Sequence, residues 1–361
     1  MFSHLFEPVT LGELTLANRI VMAPMTRNRA EPDGTPNALM VEHYAQRAGA
    51  GLIVAEGSWP EVTGQAYCRQ PGIETAAHIR GWRHVTDAVH AGGGRIVLQI
   101  MHAGRIGSHR IKPAGIETVA PSAIRAAGEV FTDAAGMQPF DVPRALGTHE
   151  VRAAVRQHRQ AALNAREAGF DGVELHGTSG YLAMQFLSSA TNRRNDAYGG
   201  PAAARARFAV ECLQAMAEAI GAGRVGLRLN PGNTFNDTTD EDSGATHAEL
   251  MRQAAPLGLA YLHVMRAPVP GIDAFAMARR HFGGPLILND GFDAAGAELA
   301  LREEQGEAVS FARHFIGNPD LVQRWREGLP LAKFDRRTLY TAGAAGYSDY
   351  PCAAALATAS R

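Results

Sequence analysis

Residues 173–187 read "VELHGTSGYLAMQFL". With the preceding "FDG" they begin as a strand, "FDGVELH" (170–176), and end as a helix. A strand covered on both faces reads as a nearly continuous apolar run, the pattern of a parallel sheet. A strand that passes straight into a helix is one βα unit. Three polar side chains, His176, Ser179 and Tyr181, crowd the joint between the two.

The same unit recurs along the chain. Strand-like runs are "RIVMAP" (19–24), "GLIVAEG" (51–57), "RIVLQIM" (95–101), "RVGLRLN" (224–230), "LAYLHVM" (259–265), "PLILND" (285–290) and "AVSFAR" (308–313). Helical patterns fill 38–49, 78–93, 149–169, 204–221, 247–258, 273–283, 294–306 and 319–328. Most of them end in Gly, which accepts the left-handed conformation at a helix C-terminus. Eight strand-then-helix units predict an α/β fold, a (β/α)8 TIM barrel, over a single domain, 1–361. A doubly wound open sheet is the runner-up. The count disfavours it, as does the lack of GxGxxG after the first strand. "AGGGR" (91–95) joins a helix to a strand, the wrong context for a phosphate cradle.

The chain has 361 residues, 46% hydrophobic and 20% charged, so a sizeable core is expected. Lys plus Arg number 35 and Asp plus Glu 36, a net charge of -1. That balance gives no electrostatic reason to expect nucleic acid or an anionic membrane as partner. No apolar run is long enough to span a bilayer, and the N-terminus lacks the pattern of a secretion signal. Cys68, Cys212 and Cys352 are scattered, which disfavours a disulfide scaffold, a metal site or an iron–sulfur cluster. A reducing, cytoplasmic location is the expectation.

Barrel enzymes gather their catalytic groups at the C-terminal ends of the strands. Here those ends supply Pro24, Met25 and Thr26; Glu56 and Gly57; Gln99, Met101 and His102; His176, Ser179 and Tyr181; Arg228 and Asn230; Asn289 and Gly291; and Arg313. Arg313 and a helix beginning near Asn318 mark the place where barrels hold a phosphate. Two facing acids for glycoside hydrolysis are missing, and so is a His/Asp/Glu metal set. Amides, hydroxyls, one imidazole and arginines suit a neutral heteroaromatic ring and a carbonyl oxygen. The long departure from alternation, 102–149, follows the third strand and is expected to cap the pocket. The tail, 331–361, is expected over the same face.

Several motifs carry a family resemblance. "LTLANRIVMAPMTRNRA", "LMVEHYAQRAGAGLIVAEG", "GWRHVTDAVHAGGGRIVLQIMHAGR", "EAGFDGVELHG", "RRNDAYGG", "ARFAVE", "VGLRL", "FIGNPDL" and "GYSDYP" stand in order from about residue 5 to 352. Together they resemble the old yellow enzyme family of FMN-dependent ene-reductases. The resemblance implies non-covalent FMN, reduction by NADH or NADPH, and an enone- or enal-type substrate. Flavin N5 would give a hydride to the β-carbon, and Tyr181 would protonate the α-carbon. His176, with Ser179 beside it, would grip the carbonyl oxygen. Ala23, Pro24 and Met25 would lie against the ring, Thr26 at its C4 carbonyl, Gln99 at the pyrimidine edge and Arg228 near N1. Arg313 and the backbone at Gly291 and Ala312 would hold the phosphate, with Gly57 and Asn289 completing the cofactor contacts. Tyr67, Met101 and Tyr347 would line the substrate cavity.

The chain departs from the family at four places. The usual His-x-x-Asn or His-x-x-His is His176-x-x-Ser179 here, and losing one such donor typically costs about 10²–10³ in rate. Met101 stands where many relatives have tryptophan, which predicts a roomier cavity. Ala312 and His314 stand where Gly and Pro are common. Asp290 lies near the phosphate, facing solvent or Arg313. Cys68 is expected to be inert, with no base beside it. Two other functions fit the same residues: a flavin-dependent isomerase or desaturase, and a non-catalytic flavin- or ligand-binding protein. Oligomeric state is left open.

Overall fold

The structure is a computed structural model and describes residues 2–353. Eight parallel strands close into a barrel. In chain order they are β1 (Ile20–Met22), β2 (Leu52–Ser58), β3 (Ile96–Ile100), β4 (Gly172–His176), β5 (Val225–Leu229), β6 (Tyr261–Met265), β7 (Leu286–Asn289) and β8 (Ala308–Phe311). Each lies inside one of the eight apolar runs read from the sequence, or within one residue of it. Each pairs with its successor, and β8 closes on β1 through Val309↔Ile20. Seven of the eight are buried at every residue. This explains their continuous apolar runs, because helices cover the outer face and side chains fill the inner one.

The outer helices include α1 (Ala38–Ala45), α2 (Ala76–Ala91), α3 (Thr148–Glu167), α4 (Leu182–Leu187) and α5 (Ala202–Ile220). They continue with α6 (Ser243–Ala254), α7 (Ala274–His281), α8 (Ala294–Arg302), α9 (Arg313–Gly317) and α10 (Leu321–Glu327). The α2 helix starts two residues before the periodic pattern. The Thr75 side chain accepts from His78 N–H, while Thr75 N–H donates to the His78 ring, so the two cap the helix reciprocally. The helix expected near Asn318 begins at Leu321, and a further short helix, starting at Arg313, comes directly after β8. No helix of the described residues is long and apolar enough to cross a membrane.

Two further pieces shape the ends of the barrel. An antiparallel hairpin, Val9–Leu11 with Leu14–Leu16, closes the bottom. Its leucines pack with Val21, Leu52, Val97 and Ile287 near the starts of the strands. At the top, the segment after β3 carries a second hairpin, Glu129–Thr132 with Gly136–Pro139. Asp141 braces this segment by accepting from His109 N–H and from the Thr118 hydroxyl.

Candidate active site

The cavity at the C-terminal mouth of the barrel has a volume of about 770 Å3. Its floor is built by residues from the strand ends, Gln99, His176 and Arg228 among them. A second hollow of about 780 Å3 lies between the loop after β6 and α7. None of its titratable side chains is buried, so the chemistry belongs to the first.

A polar network runs across the barrel beneath the cavity. Gln99 Nε2 donates to Glu174 Oε1 at 2.8 Å, and His263 Nδ1 lies 2.8 Å from Glu174 Oε2. His263 Nε2 lies 2.7 Å from the Ser310 hydroxyl and 3.0 Å from Arg228 Nη1. Arg228 Nη2 donates to Asn289 Oδ1 at 2.9 Å. Burial and the nearby Arg228 push His263 down to about 4, so it is neutral. A neutral ring has one N–H, and the carboxylate can only accept. The proton therefore sits on Nδ1, facing Glu174, and Nε2 accepts. Burial alone would raise Glu174, but His263 and Arg228 outweigh it and hold the carboxyl below its ordinary value. Because the Gln99 NH2 group faces Glu174, its carbonyl oxygen is the end free to accept from a ring N–H.

His176 is the second neutral imidazole. Burial, then Arg228, bring it down to about 3. Its Nδ1 accepts from Thr178 N–H at 3.4 Å, so the proton is on Nε2. The ring stands edge-on to Tyr181, with centroids 4.9 Å apart. The Tyr181 hydroxyl is 2.8 Å from that of Tyr67. Burial, then Tyr67, push Tyr181 well above its ordinary value, so it is a protonated phenol at neutral pH.

One pH prediction follows from these imidazoles. His176, His158 and His263 titrate at about 3, 4 and 4 when folded, against about 6.5 when unfolded. The unfolded chain therefore takes up their protons first, and stability falls as pH drops from 6.5 towards 4. Glu56 works the other way: burial lifts it to about 7, so its contribution grows over that range. Three histidines outweigh one carboxyl. The urea midpoint is expected to fall steadily between pH 6.5 and 4, and a flat profile there would contradict these assignments.

Of the residues singled out in the sequence, Pro24, Met25, Thr26, Tyr67, Gln99, His176, Ser179, Tyr181, Arg228, Ala312 and Arg313 all line this cavity. Six others do not. Ala23 is fully buried, its N–H on Phe311 O. Gly57 leaves room for Met101, whose Sδ would sit 2.7 Å from a Cβ there. Met101 is therefore packed behind the wall, in a cluster with Tyr181 and Phe140, and does not enlarge the cavity. Asn289 acts through Arg228. Gly291, at φ +77°, belongs to the turn beside Asp290.

Tyr347 is the clearest correction. It is fully buried, stacked on His43 with ring centroids 3.9 Å apart. Arg27 and Arg29 lie over its ring at 5.2 and 5.0 Å. These two arginines grip the tail by its main chain. Arg27 donates to Leu339 O and Gly346 O, and Arg29 to Thr338 O, Gly343 O and Ala345 O. The tail residues that reach the cavity are instead Phe334, Arg336, Leu339 and Tyr340. Sequence reading also missed Phe131 and Met137 from the upper hairpin, and Phe235 and Asn236 from the loop after β5. That loop follows a barrel strand, which was the only available signal.

Residues 4–332 match the NADH:flavin oxidoreductase / NADH oxidase family. A probable flavin mononucleotide-dependent alkene reductase of Leishmania infantum is 41% identical over 355 residues, 96% of this chain and 97% of that protein. Morphinone reductase in complex with tetrahydroNAD superposes with a TM-score of 0.93 at 42% identity, covering 97% of this chain and 98% of the other. The old yellow enzyme homologue from Zymomonas mobilis superposes with a TM-score of 0.93 at 37% identity, covering 97% and 99%. The chain belongs to the old yellow enzyme family. These enzymes are FMN-dependent NAD(P)H oxidoreductases, and the comparisons favour alkene reduction over the isomerase or desaturase alternative.

The residues of this old yellow enzyme fit FMN. Met25 and Met265 give apolar surface for a flat ring, and Gln99 offers an acceptor to a ring N–H. Arg228 sets a cation at the cavity floor. The Arg313 guanidinium is 69% exposed, and its only ion-pair partner among the described residues is Asp290, at 3.7 Å. It is free to meet a phosphate.

Proposed function

We propose that this cavity binds FMN and reduces the C=C bond of an α,β-unsaturated carbonyl compound with NADPH or NADH. Tyr181 is the proton donor. The observation that carries this reading is the meeting, in one cavity, of a neutral His176 presenting Nε2–H, a protonated Tyr181 hydroxyl and the Arg228 guanidinium. Bound FMN supplies the hydride. His176 Nε2–H donates to the substrate carbonyl oxygen, where negative charge develops. A neutral donor suits this task, since it keeps its proton across the working pH range. Tyr181 then gives its proton to the α-carbon. Arg228, oriented by Asn289 and His263, would set its positive charge against the edge of the ring that gains negative charge on reduction. Gln99 would accept from the pyrimidine edge, Thr26 would meet the C4 carbonyl, and Pro24 and Met25 would back the ring. Arg313 and the backbone at Ala312 would hold the phosphate.

The 102–149 segment and the tail act as the roof, bringing Phe131, Met137 and Tyr340 to the mouth. The substrate is a small enone or enal with an apolar body, and the enzyme works in the cytoplasm, where its three free thiols persist. The test is an anaerobic visible spectrum. NADPH should bleach the flavin band, and 2-cyclohexenone should restore it. Protein that takes up no flavin refutes the reading.

Asp290 bears on cofactor affinity. It holds φ +76°, a conformation that costs a side-chain-bearing residue roughly 1–2 kcal/mol. Its carboxylate also competes with a phosphate for Arg313. The strain is present with or without cofactor and bears on stability alone; Asp290→Gly also frees Arg313 from its carboxylate, and FMN should bind about tenfold more tightly, near 1.4 kcal/mol. Quenching of flavin fluorescence on titration measures this, and equal affinity in both proteins would place Asp290 outside the phosphate's reach.

A further inference from the structure

We infer that Tyr67 and Asn236 are positioning residues that hold the Tyr181 proton donor and stabilise the phenolate it leaves behind. This rests on the alkene-reductase reading above. Two observations carry it. The Tyr67 and Tyr181 hydroxyls lie 2.8 Å apart, with Tyr67 only partly buried and Tyr181 inside it. Beside them stands Asn236, delivered by the loop after β5.

That loop is held tightly against the His176–Tyr181 turn. Asn236 Nδ2 donates to the main-chain oxygen of Ser179 at 2.8 Å. Arg105, itself buried, donates from Nη2 to Asn236 O at 3.2 Å and also to Asp237 O. Gly180 makes the approach possible: a Cβ there would lie 2.5 Å from Phe235 O and 2.7 Å from Asn236 Cβ. An amide NH2 has two hydrogens. One is spent on Ser179 O, and the second is left for the phenols. Asn236 lines the same cavity as both tyrosines, and burial pushes both phenols up. Ser179 thus leaves the turn without its usual long polar side chain, and an asparagine from another loop enters the same cavity.

The proton step balances. The Tyr181 O–H bond breaks as the α-carbon–hydrogen bond forms, leaving a phenolate. The second Asn236 N–H and the Tyr67 hydroxyl donate to that oxygen. Tyr67 then passes its proton to Tyr181 and takes one from water at the cavity mouth. The hydride is charged to NADPH and the proton to solvent.

The test uses holoenzyme reduced anaerobically and reoxidised in a single turnover. Two oxidants are compared: 2-cyclohexenone, which needs a carbon-bound proton, and ferricyanide, which does not. Hydrogen bonds to a charged group are strong enough that Tyr67→Phe and Asn236→Ala should each slow the enone step about 10- to 100-fold. Ferricyanide reoxidation should stay within about twofold, since no phenolate forms. A readout independent of turnover is carbon-13 NMR of tyrosine-labelled holoenzyme, in which the Tyr181 signal should move in both variants. Enone rates within about twofold of wild type, or equal slowing with both oxidants, would overturn the inference. If wild type is bleached by NADPH but never restored by the enone, the alkene-reductase reading falls, and this inference with it.

Discussion

Replacing Tyr181 with phenylalanine is expected to slow alkene reduction by about 10²–10⁴, the usual contribution of a positioned general acid. The change removes one oxygen. The ring still packs edge-on to His176 and beside Met101, so the cavity keeps its shape. Stability should drop by only about 1 kcal/mol, the worth of the lost hydrogen bond to Tyr67. Hydride transfer from NADPH needs no proton from this residue, so bleaching of the flavin should proceed nearly as in wild type. Stopped-flow traces of the two half-reactions separate these effects. A Tyr181→Phe variant that reduces enones at the wild-type rate would show that the proton comes from elsewhere.

The second large effect is thermodynamic. Glu174 is fully buried, and it accepts from Gln99 and from His263 while offsetting the charge of Arg228. Glu174→Leu leaves the guanidinium buried without a counter-charge, and breaking such a pair costs about 3–5 kcal/mol. It also frees Gln99 to rotate, so the carbonyl end is no longer fixed towards the cavity. Urea unfolding of the flavin-free protein should therefore show a lower midpoint with a similar slope. An unchanged midpoint would mean that Arg228 is neutralised by some group other than Glu174. Added FMN should recover part of the loss, because it binds the folded state only.

The barrel was legible because its signal is local. Most strands are short apolar runs beside or containing a Gly, and most are followed by a periodic stretch. The same locality placed His176, Gln99, Arg228 and Arg313 at strand ends, where a parallel barrel must present them. What escaped depends on contacts between distant segments. The bottom hairpin has three-residue strands, too short for a period to show. Tyr340 and Tyr347 sit seven residues apart in one aromatic, Gly-rich tail, and nothing local says which turns inward. The decision lies with Arg27 and Arg29, some three hundred positions upstream, whose rings of contact bury Tyr347 and leave Tyr340 outside. Asn236 is similar: only the glycine at 180 and the buried Arg105 bring its loop to the tyrosines.

The grip of those two arginines on the tail has a consequence for how this enzyme can change. They hold carbonyl oxygens, which every amino acid carries, and almost no side chains. Apart from the Tyr347 ring and the Thr341 hydroxyl, the anchor is therefore indifferent to the identity of the residues it fastens. Phe334, Leu339 and Tyr340 can be exchanged without loosening the strap that presents them. Recognition and attachment are written in different atoms of the same segment. A library randomised at these three positions should keep its fold and flavin while its preference among enones drifts, which makes the tail a natural place for new specificities to arise.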